Sequence, residues 1–248
     1  MNRNEWWRDF FSGLANDMWR MAIDPAQTTK EADFIGNVLQ LLPPAALLDV
    51  PCGNGRLSME LASRGFAVTG ADLSQPFVKE AQTASRGKGL AVEWHVREMR
   101  DLPWQDRFDG AFCFGNSFGY LDDQGNTDFL KTIHRVLKPG GRFLLDASSV
   151  AENVLRKIED HTEMEFGDIV FKEDNHYDHR SGRLETEYTF VRGGQTEKKF
   201  GSHRIYTFRE LEMLLAQAGF ENSQAFGSVE KKPFKFGSHA LYLLVSKE

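Results

Sequence analysis

The sequence holds only two cysteines, Cys52 and Cys113, too few for a disulfide framework or a cysteine-built zinc site. Blocks of positive charge are missing as well. The longest basic runs are Lys198-Lys199 and Lys231-Lys232, and the formal net charge is −6. Phosphate backbones demand clustered positive charge, so a dedicated nucleic-acid surface is not expected. No apolar run approaches the ~18–20 residues that cross a bilayer. The first residues place Glu5, Asp9 and Asp17 among aromatics, a pattern unlike a signal peptide. A cytoplasmic chain with no membrane partner is the expectation.

What the chain does have is aromatic bulk: 20 Phe and 5 Trp, enough to fill a core and also line an apolar pocket. Near the start, Trp6, Trp7, Phe10, Phe11 and Leu14 recur at close to helical spacing with charges between them. They predict one amphipathic helix. A second helix opens near Thr28 or Thr29 and is closed by Pro43-Pro44, so residues 1–44 are expected to be N-terminal helices.

From there, strand and helix patterns alternate. The runs AALLDV, FAVTGAD, LAVEWHV, FDGAFCF and RFLLDAS are short and apolar, as strands covered on both faces are. Between them lie helical stretches, one capped by Ser74 with Pro76 in its first turn and another stopped by Pro139-Gly140-Gly141. Five such strands predict an α/β fold with a doubly wound, Rossmann-like sheet. Beyond about Gly167 the helical period gives way to three stretches of period two, separated by HRSG and GGQTE. They predict an antiparallel unit, a small β cap inserted after strand five within residues 160–208. A helix, FRELEMLLAQAG, and two closing strands complete a seven-stranded sheet, and 1–248 reads as one domain.

Ligands of doubly wound sheets sit outside the carboxyl ends of the strands. There the sequence places a glycine-rich turn, Asp49-Val50-Pro51-Cys52-Gly53-Asn54-Gly55, and an acid, Asp72, at the end of the next strand. Gly53 and Gly55 let backbone approach a ligand, and the following helix offers its N-terminal amides. A carboxylate at position 72 can accept two hydrogen bonds from a ribose diol. The dinucleotide fingerprint asks for a third glycine where Ser58 stands.

Counted from Asp49, the turn reads Asp-x-Pro-x-Gly-x-Gly and resembles motif I of class I S-adenosylmethionine-dependent methyltransferases, acidic-x-Gly-x-Gly-x-Gly. FDGAFCFGNSFGYL is similar to that family's fourth-strand motif, and VLKPGGRFLLD to its approach to strand five. The resemblance runs along nearly the whole chain. It implies S-adenosyl-L-methionine as cofactor, leaving S-adenosyl-L-homocysteine. It also implies a cofactor site made of Asp49, Cys52, Gly53, Asn54, Gly55, Asp72, Leu73, Glu98, Met99, Phe114, Gly115 and Asn116. The sequence departs from the motif at Pro51, which occupies the first glycine position. Proline fixes φ near −65° and has no N–H, so position 51 needs neither positive φ nor an amide aimed at the cofactor.

The cap resembles that of small-molecule methyltransferases, including N-methyltransferases of nucleotide-linked amino sugars, which implies an acceptor enclosed by cap and first helix. The candidates facing it are Trp7, Phe11, Asn116, Phe118, Tyr120, Tyr177 and Arg204, the last as a clamp for an anionic group. His203 and Tyr206 are the acid–base candidates. Cys52 is expected to be a small residue beside the cofactor. His176, Asp178 and His179 look like a metal cluster, but alternation turns His179 away, and no metal is expected. The expected activity is methyl transfer to nitrogen or oxygen of a small polar molecule. The alternatives are an NAD(P)-dependent oxidoreductase, and a non-catalytic cofactor-binding module of the same fold.

Overall fold

The computed structural model describes residues 5–248, so the first four residues of the expected N-terminal helices lie outside it. Its main sheet has seven strands: β1 (Ala46–Asp49), β2 (Ala67–Asp72), β3 (Val92–Val96), β4 (Phe108–Cys113), β5 (Leu137–Asp146), β10 (Phe220–Phe226) and β11 (Tyr242–Lys247). Their order is β10-β11-β5-β4-β1-β2-β3. The first five are mutually parallel and β11 is antiparallel to both neighbours. Alternate residues of each central strand enter opposite cores. Leu47, Phe112 and Leu144 pack with α3 (Pro25–Leu39) and α4 (Arg56–Ser63). Leu48, Ala111, Phe143 and Leu145 pack with α6 (Asp123–Val136) and α8 (Phe208–Gln217). Burial on both faces is why these strands read as unbroken apolar runs.

Local chemistry sets the helix starts. Ser74 caps α5 (Gln75–Gly87), accepting from the Phe77 amide, and Asp122 caps α6 in the same way. Thr207 and Glu210 form a capping box on α8. The second helix starts earlier than the threonines suggested: Asp24 accepts from the Gln27 amide at 2.7 Å and Pro25 opens the helix.

Two expectations are corrected. The single N-terminal helix is two, α1 (Trp7–Phe10) and α2 (Leu14–Ala22), broken at Gly13 with φ 60° and ψ −138°. Periodicity alone spans such a break, because the apolar faces of both pieces meet one partner. The cap has four strands rather than three, in the order β6 (His161–Phe166), β7 (Ile169–Asp178), β8 (Arg183–Arg192), β9 (Gln195–Arg204), all antiparallel. Strand β6 is a largely exposed edge carrying His161, Glu163 and Glu165, so no apolar alternation marks it. A short helix, α7 (Ala151–Val154), leads into it.

Cap and N-terminal helices share a third core of Trp6, Phe10, Leu14, Met18, Phe171 and Phe190. Trp6 ties them further, its indole N–H donating to the Ser202 carbonyl at 3.0 Å. The lid made by α1 and α2 is clasped from both sides. Arg20 donates to Glu80 on α5 at 2.5 Å and to Asp17 at 2.8 Å, and Arg192 of the cap reaches Asp17 at 2.7 Å.

Candidate active site

Three acids close the strand ends, Asp49 and Asp146 buried and Asp72 half-buried. Asp49, 2% exposed at the end of β1, accepts from the Ser58 hydroxyl at 2.6 Å. The serine standing where a dinucleotide site wants glycine therefore holds α4 to β1. Asp72, at the end of β2, accepts from the Gly53 amide at 2.8 Å and the Ser74 amide at 2.7 Å. Asp146, at the end of β5, accepts from the Gly115 and Asn116 amides, each at 3.1 Å, and so shapes the loop after β4. Burial pushes all three carboxyls up in pKa, and their hydrogen bonds oppose the shift.

The glycine-rich turn follows from these anchors. Gly53 and Gly55 have φ of 54° and 78°, in the left-handed region. A side chain at Gly53 would meet nothing within 4 Å, so this backbone faces open space. Gly55 is different: a Cβ there would run into the Trp94 indole and stand 2.9 Å from Ala81. The Cys52 amide is used internally, donating to the Ala71 carbonyl at 2.9 Å. Its thiol is buried, and desolvation first, then the charges of Asp49 and Asp72, push its pKa well up, leaving it a neutral, inert group.

Above the turn lies a cavity of about 570 Å³. Its walls include Asp49, Cys52, Gly53, Asn54, Asp72, Leu73, Glu98, Met99, Phe114 and Gly115 of the expected cofactor set. Gly55 lies beneath, against Trp94, and Asn116 is turned aside: its side chain donates to Ser149 Oγ at 2.5 Å and accepts from the Ser149 amide at 2.9 Å. The roof is the lid, through Trp7, Phe11, Asn16, Trp19 and Arg20, with Tyr120 and Phe77 at its sides.

Of the expected acceptor residues, Trp7, Phe11 and Tyr120 line this cavity, and four do not. Phe118 is core, packed against Phe129 and Tyr206. Tyr177 lies on β7, paired with Leu184 of β8, away from the cavity. Arg204 is spent inside the protein, with Asp123 at 3.1 Å, Glu210 at 2.9 Å and the Tyr206 ring 4.3 Å beneath its guanidinium. An arginine with all its partners in place is a strut and not a substrate clamp. Arg204→Ala is accordingly expected to lower unfolding free energy by about 2–3 kcal/mol while leaving ligand affinity unchanged. Urea denaturation beside ligand titration checks both halves.

The acid–base candidates are displaced too. The Tyr206 hydroxyl donates to Asp123 Oδ1 at 2.8 Å and accepts from Asn126 at 3.0 Å, within the core. His203 stands behind Tyr120, ring centroids 5.4 Å apart, and burial lowers its pKa to about 4, so it is neutral at pH 7. In the sequence both sit in one run of period two, whose alternation leaves either face open, whereas β9 ends at Arg204 and Tyr206 lies beyond it. Among the described residues there is no group of three or more His, Cys, Asp or Glu able to hold a metal ion.

Sequence reasoning missed Asn16, Arg20, Arg56 and Phe77 in the walls. Arg56, the first residue of α4, is ion-paired to Glu31 of α3 and joins two helices at the cavity edge. Asn16 carried no signal in the sequence: it is buried in α2, yet its place two positions from both Leu14 and Met18 puts it on the other side of the helix from that apolar pair.

A seven-stranded sheet in this order, with an acid and a glycine turn at its first two strand ends, is the class I methyltransferase fold. Residues 47–141 match the family model described as a methyltransferase domain. Residues 47–141 thus carry a methyltransferase-domain match, and the sheet that contains them has the class I methyltransferase fold. The chain is 31% identical over 154 residues to glycine N-methyltransferase of Rattus norvegicus, covering 55% of this chain and 52% of that one. The chain spans about half the length of the curated relatives it matches. Among solved structures, an S-adenosylmethionine-dependent methyltransferase from Clostridium acetobutylicum superposes with a TM-score of 0.80 at 21% identity, covering 94% of this chain and 96% of that one. The sugar N-methyltransferase KedS8 from Streptoalloteichus superposes with a TM-score of 0.69 at 20% identity, covering 94% and 92%. Both share the fold.

Proposed function

We propose that the chain transfers a methyl group from S-adenosylmethionine to nitrogen or oxygen of a small polar molecule. The observation that carries this reading is one continuous cavity joining the ends of β1, β2 and β4 to an aromatic lid. The residues fit the cofactor. Each Asp72 oxygen accepts one backbone N–H, so each keeps a lone pair for a ribose hydroxyl. Leu73, Glu98 and Met99 would flank the adenine, and the Gly53 turn, with Asp49 behind it, would hold the methionine end.

When bound, the cofactor supplies an already activated methyl group on a sulfonium. The protein's task is then alignment and exclusion of water, which Trp7, Phe11, Phe77 and Tyr120 are placed to perform. Among the described residues, neither acid–base candidate offers a base in the cavity wall near Tyr120, since His203 lies behind it and Tyr206 is in the core. The expected acceptor is therefore a nucleophile that arrives neutral, such as an uncharged amine. The relatives include both N- and O-methyltransferases, so the choice of nitrogen rests on the cavity wall. The oxidoreductase alternative is disfavoured by Ser58, whose hydroxyl is committed to Asp49 where a dinucleotide site needs close helix approach. Incubation with S-adenosylmethionine and pooled small amines and alcohols, followed by mass spectrometry, tests the reading. A product heavier by one methylene with equimolar S-adenosylhomocysteine is expected. Release of neither from any pool, by protein that binds the cofactor, would favour the non-catalytic module.

Asp49 gives this reading a pH signature. Burial raises its folded-state pKa to about 7, against an unfolded value near ~4. The folded chain holds the extra proton between those values, so this group's contribution to stability falls as pH rises from ~4 through about 7. A cationic cofactor favours the ionised form and lowers that pKa. Binding near pH 7 is expected to release protons and to tighten as pH rises through 7. Calorimetry in buffers of different ionisation heat measures the release, which Asp49→Asn should abolish.

A further inference from the structure

The loop after β4 brings Tyr120 to the cavity wall, and the cap holds that loop by its backbone. Three consecutive carbonyls are met by donors from two cap strands. Gly119 O accepts from the Arg204 amide at 2.8 Å. Tyr120 O accepts from Arg183 Nη2 at 3.1 Å, and Leu121 O from Arg183 Nη1 at 3.0 Å. The two flanking residues have a second anchor in Asn126 of α6, which accepts from the Gly119 amide at 3.2 Å and donates to Leu121 O at 2.9 Å. Among the described residues, the Tyr120 carbonyl has no donor but Arg183. The peptide that follows the cavity-wall ring is thus oriented by one side chain of the cap.

The task needs a guanidinium. Arg183 Nε donates to Ser202 Oγ at 2.7 Å and Nη2 to the Ser202 carbonyl at 2.6 Å, so its planar fork reaches from β9 to the loop. Five N–H groups in fixed directions match that spread, and an ammonium, with three donors on one atom, does not. Arg183 has no ion pair among the described residues; its bonds run to carbonyls and one hydroxyl. A half-buried cation with no carboxylate against it gains little from its charge, and what it supplies here is the fork. The Ser202 carbonyl also accepts from the Trp6 indole at 3.0 Å, and the Trp6 ring meets Tyr120 edge-on at 4.8 Å. Lid and loop therefore hang from the same cap residue. Tyr120 is fixed at its backbone by Arg183 and at its ring by Trp6.

We infer that Arg183 is a positioning residue for methyl transfer, acting through Tyr120 to set the aromatic wall of the cavity from the cap. This deepens the proposed function and rests on it. Arg183 does not itself line the strand-end cavity, so its effect there travels through the loop. The cap is then part of the geometry of the site and not only a cover over it.

The test labels the full chain with fluorotyrosine and reads its five tyrosines by fluorine NMR, with Tyr120→Phe assigning the Tyr120 line. Arg183→Lys keeps the charge but not the fork. In wild type the Tyr120 line is expected to be single and to shift when S-adenosylhomocysteine is added. In Arg183→Lys it should split or broaden, and stay so with S-adenosylhomocysteine bound. The lines of Tyr188, packed on the core shared by cap and lid, and of Tyr242 in β11 should keep their wild-type places. Ser202→Ala, which takes away only the Nε acceptor, should disturb the Tyr120 line less. Should Arg183→Lys fail to fold, the same readings on Ser202→Ala decide. A variant whose Tyr120 line matches wild type overturns the inference. So does one in which the Tyr188 and Tyr242 lines move as well, for Arg183 would then only support the fold. A wild-type Tyr120 line unmoved by bound S-adenosylhomocysteine overturns it too, since it takes Tyr120 out of the ligand's reach. Failure of wild type to bind S-adenosylhomocysteine in calorimetry would remove the methyltransferase reading, and with it the inference as one about methyl transfer; the ligand-free lines tell the two failures apart.

Discussion

Gly55→Ala is expected to lower the unfolding free energy by about 2–4 kcal/mol, the largest stability effect of any single methyl group added at the site. Two costs combine. The backbone at φ 78° is a conformation that costs a residue with a Cβ about 1–2 kcal/mol. The new methyl also lands on the Trp94 indole, which cannot retreat freely. That ring packs under Gly70 as well, and its N–H donates to Ser85 at 3.1 Å. The control is Gly53→Ala, whose φ of 54° carries the same backbone cost but whose added methyl meets nothing within 4 Å. It should cost about 1 kcal/mol in stability and act instead on ligand affinity, because its methyl projects into open space. Urea denaturation of both variants decides the matter. Equal midpoints would mean that Trp94 does not fix the turn.

Asp72→Ala should weaken binding of S-adenosylmethionine by about 10- to 100-fold, or roughly 1.4–2.8 kcal/mol. The carboxylate does two things at once. It holds the Gly53 and Ser74 amides at 2.8 and 2.7 Å, and it retains one lone pair on each oxygen for the ribose. Alanine removes both and leaves two N–H groups without their acceptor. Asp72→Asn separates the roles: one amide can still be received, but the second oxygen becomes a donor facing a donor. Its loss should fall between wild type and alanine. Unchanged affinity in Asp72→Ala would take residue 72 out of the site.

How much of this was visible in the sequence depends on what kind of contact made each feature. The parallel strands were legible because both faces are buried, so AALLDV and FDGAFCF read as continuous apolar runs. The turn and Asp72 were legible because their chemistry is local, set by residue type at fixed spacing in one chain segment. Residues whose role depends on distant partners were not. Arg204 has the composition of a clamp, and only the positions of Asp123 and Glu210 make it a strut. Asn116 sits in the right loop, yet Ser149, thirty-three residues later, takes its side chain. The break at Gly13 was hidden because Phe10 and Leu14 enter the same core from two separate helices. Asp146 belongs with Asp49 and Asp72 as a strand-end acid, a parallel that RFLLDAS carries but that becomes clear only when the Gly115 and Asn116 amides are seen to point at it.

The central claim is that the strand-end cavity is an S-adenosylmethionine site. Isothermal titration of the full chain with S-adenosylmethionine, S-adenosylhomocysteine and NADH tests it most directly. The account predicts binding of the first two in the micromolar range or tighter, about −8 kcal/mol, and none of NADH. Binding of NADH alone, or of none of the three by protein shown to be folded, would contradict it.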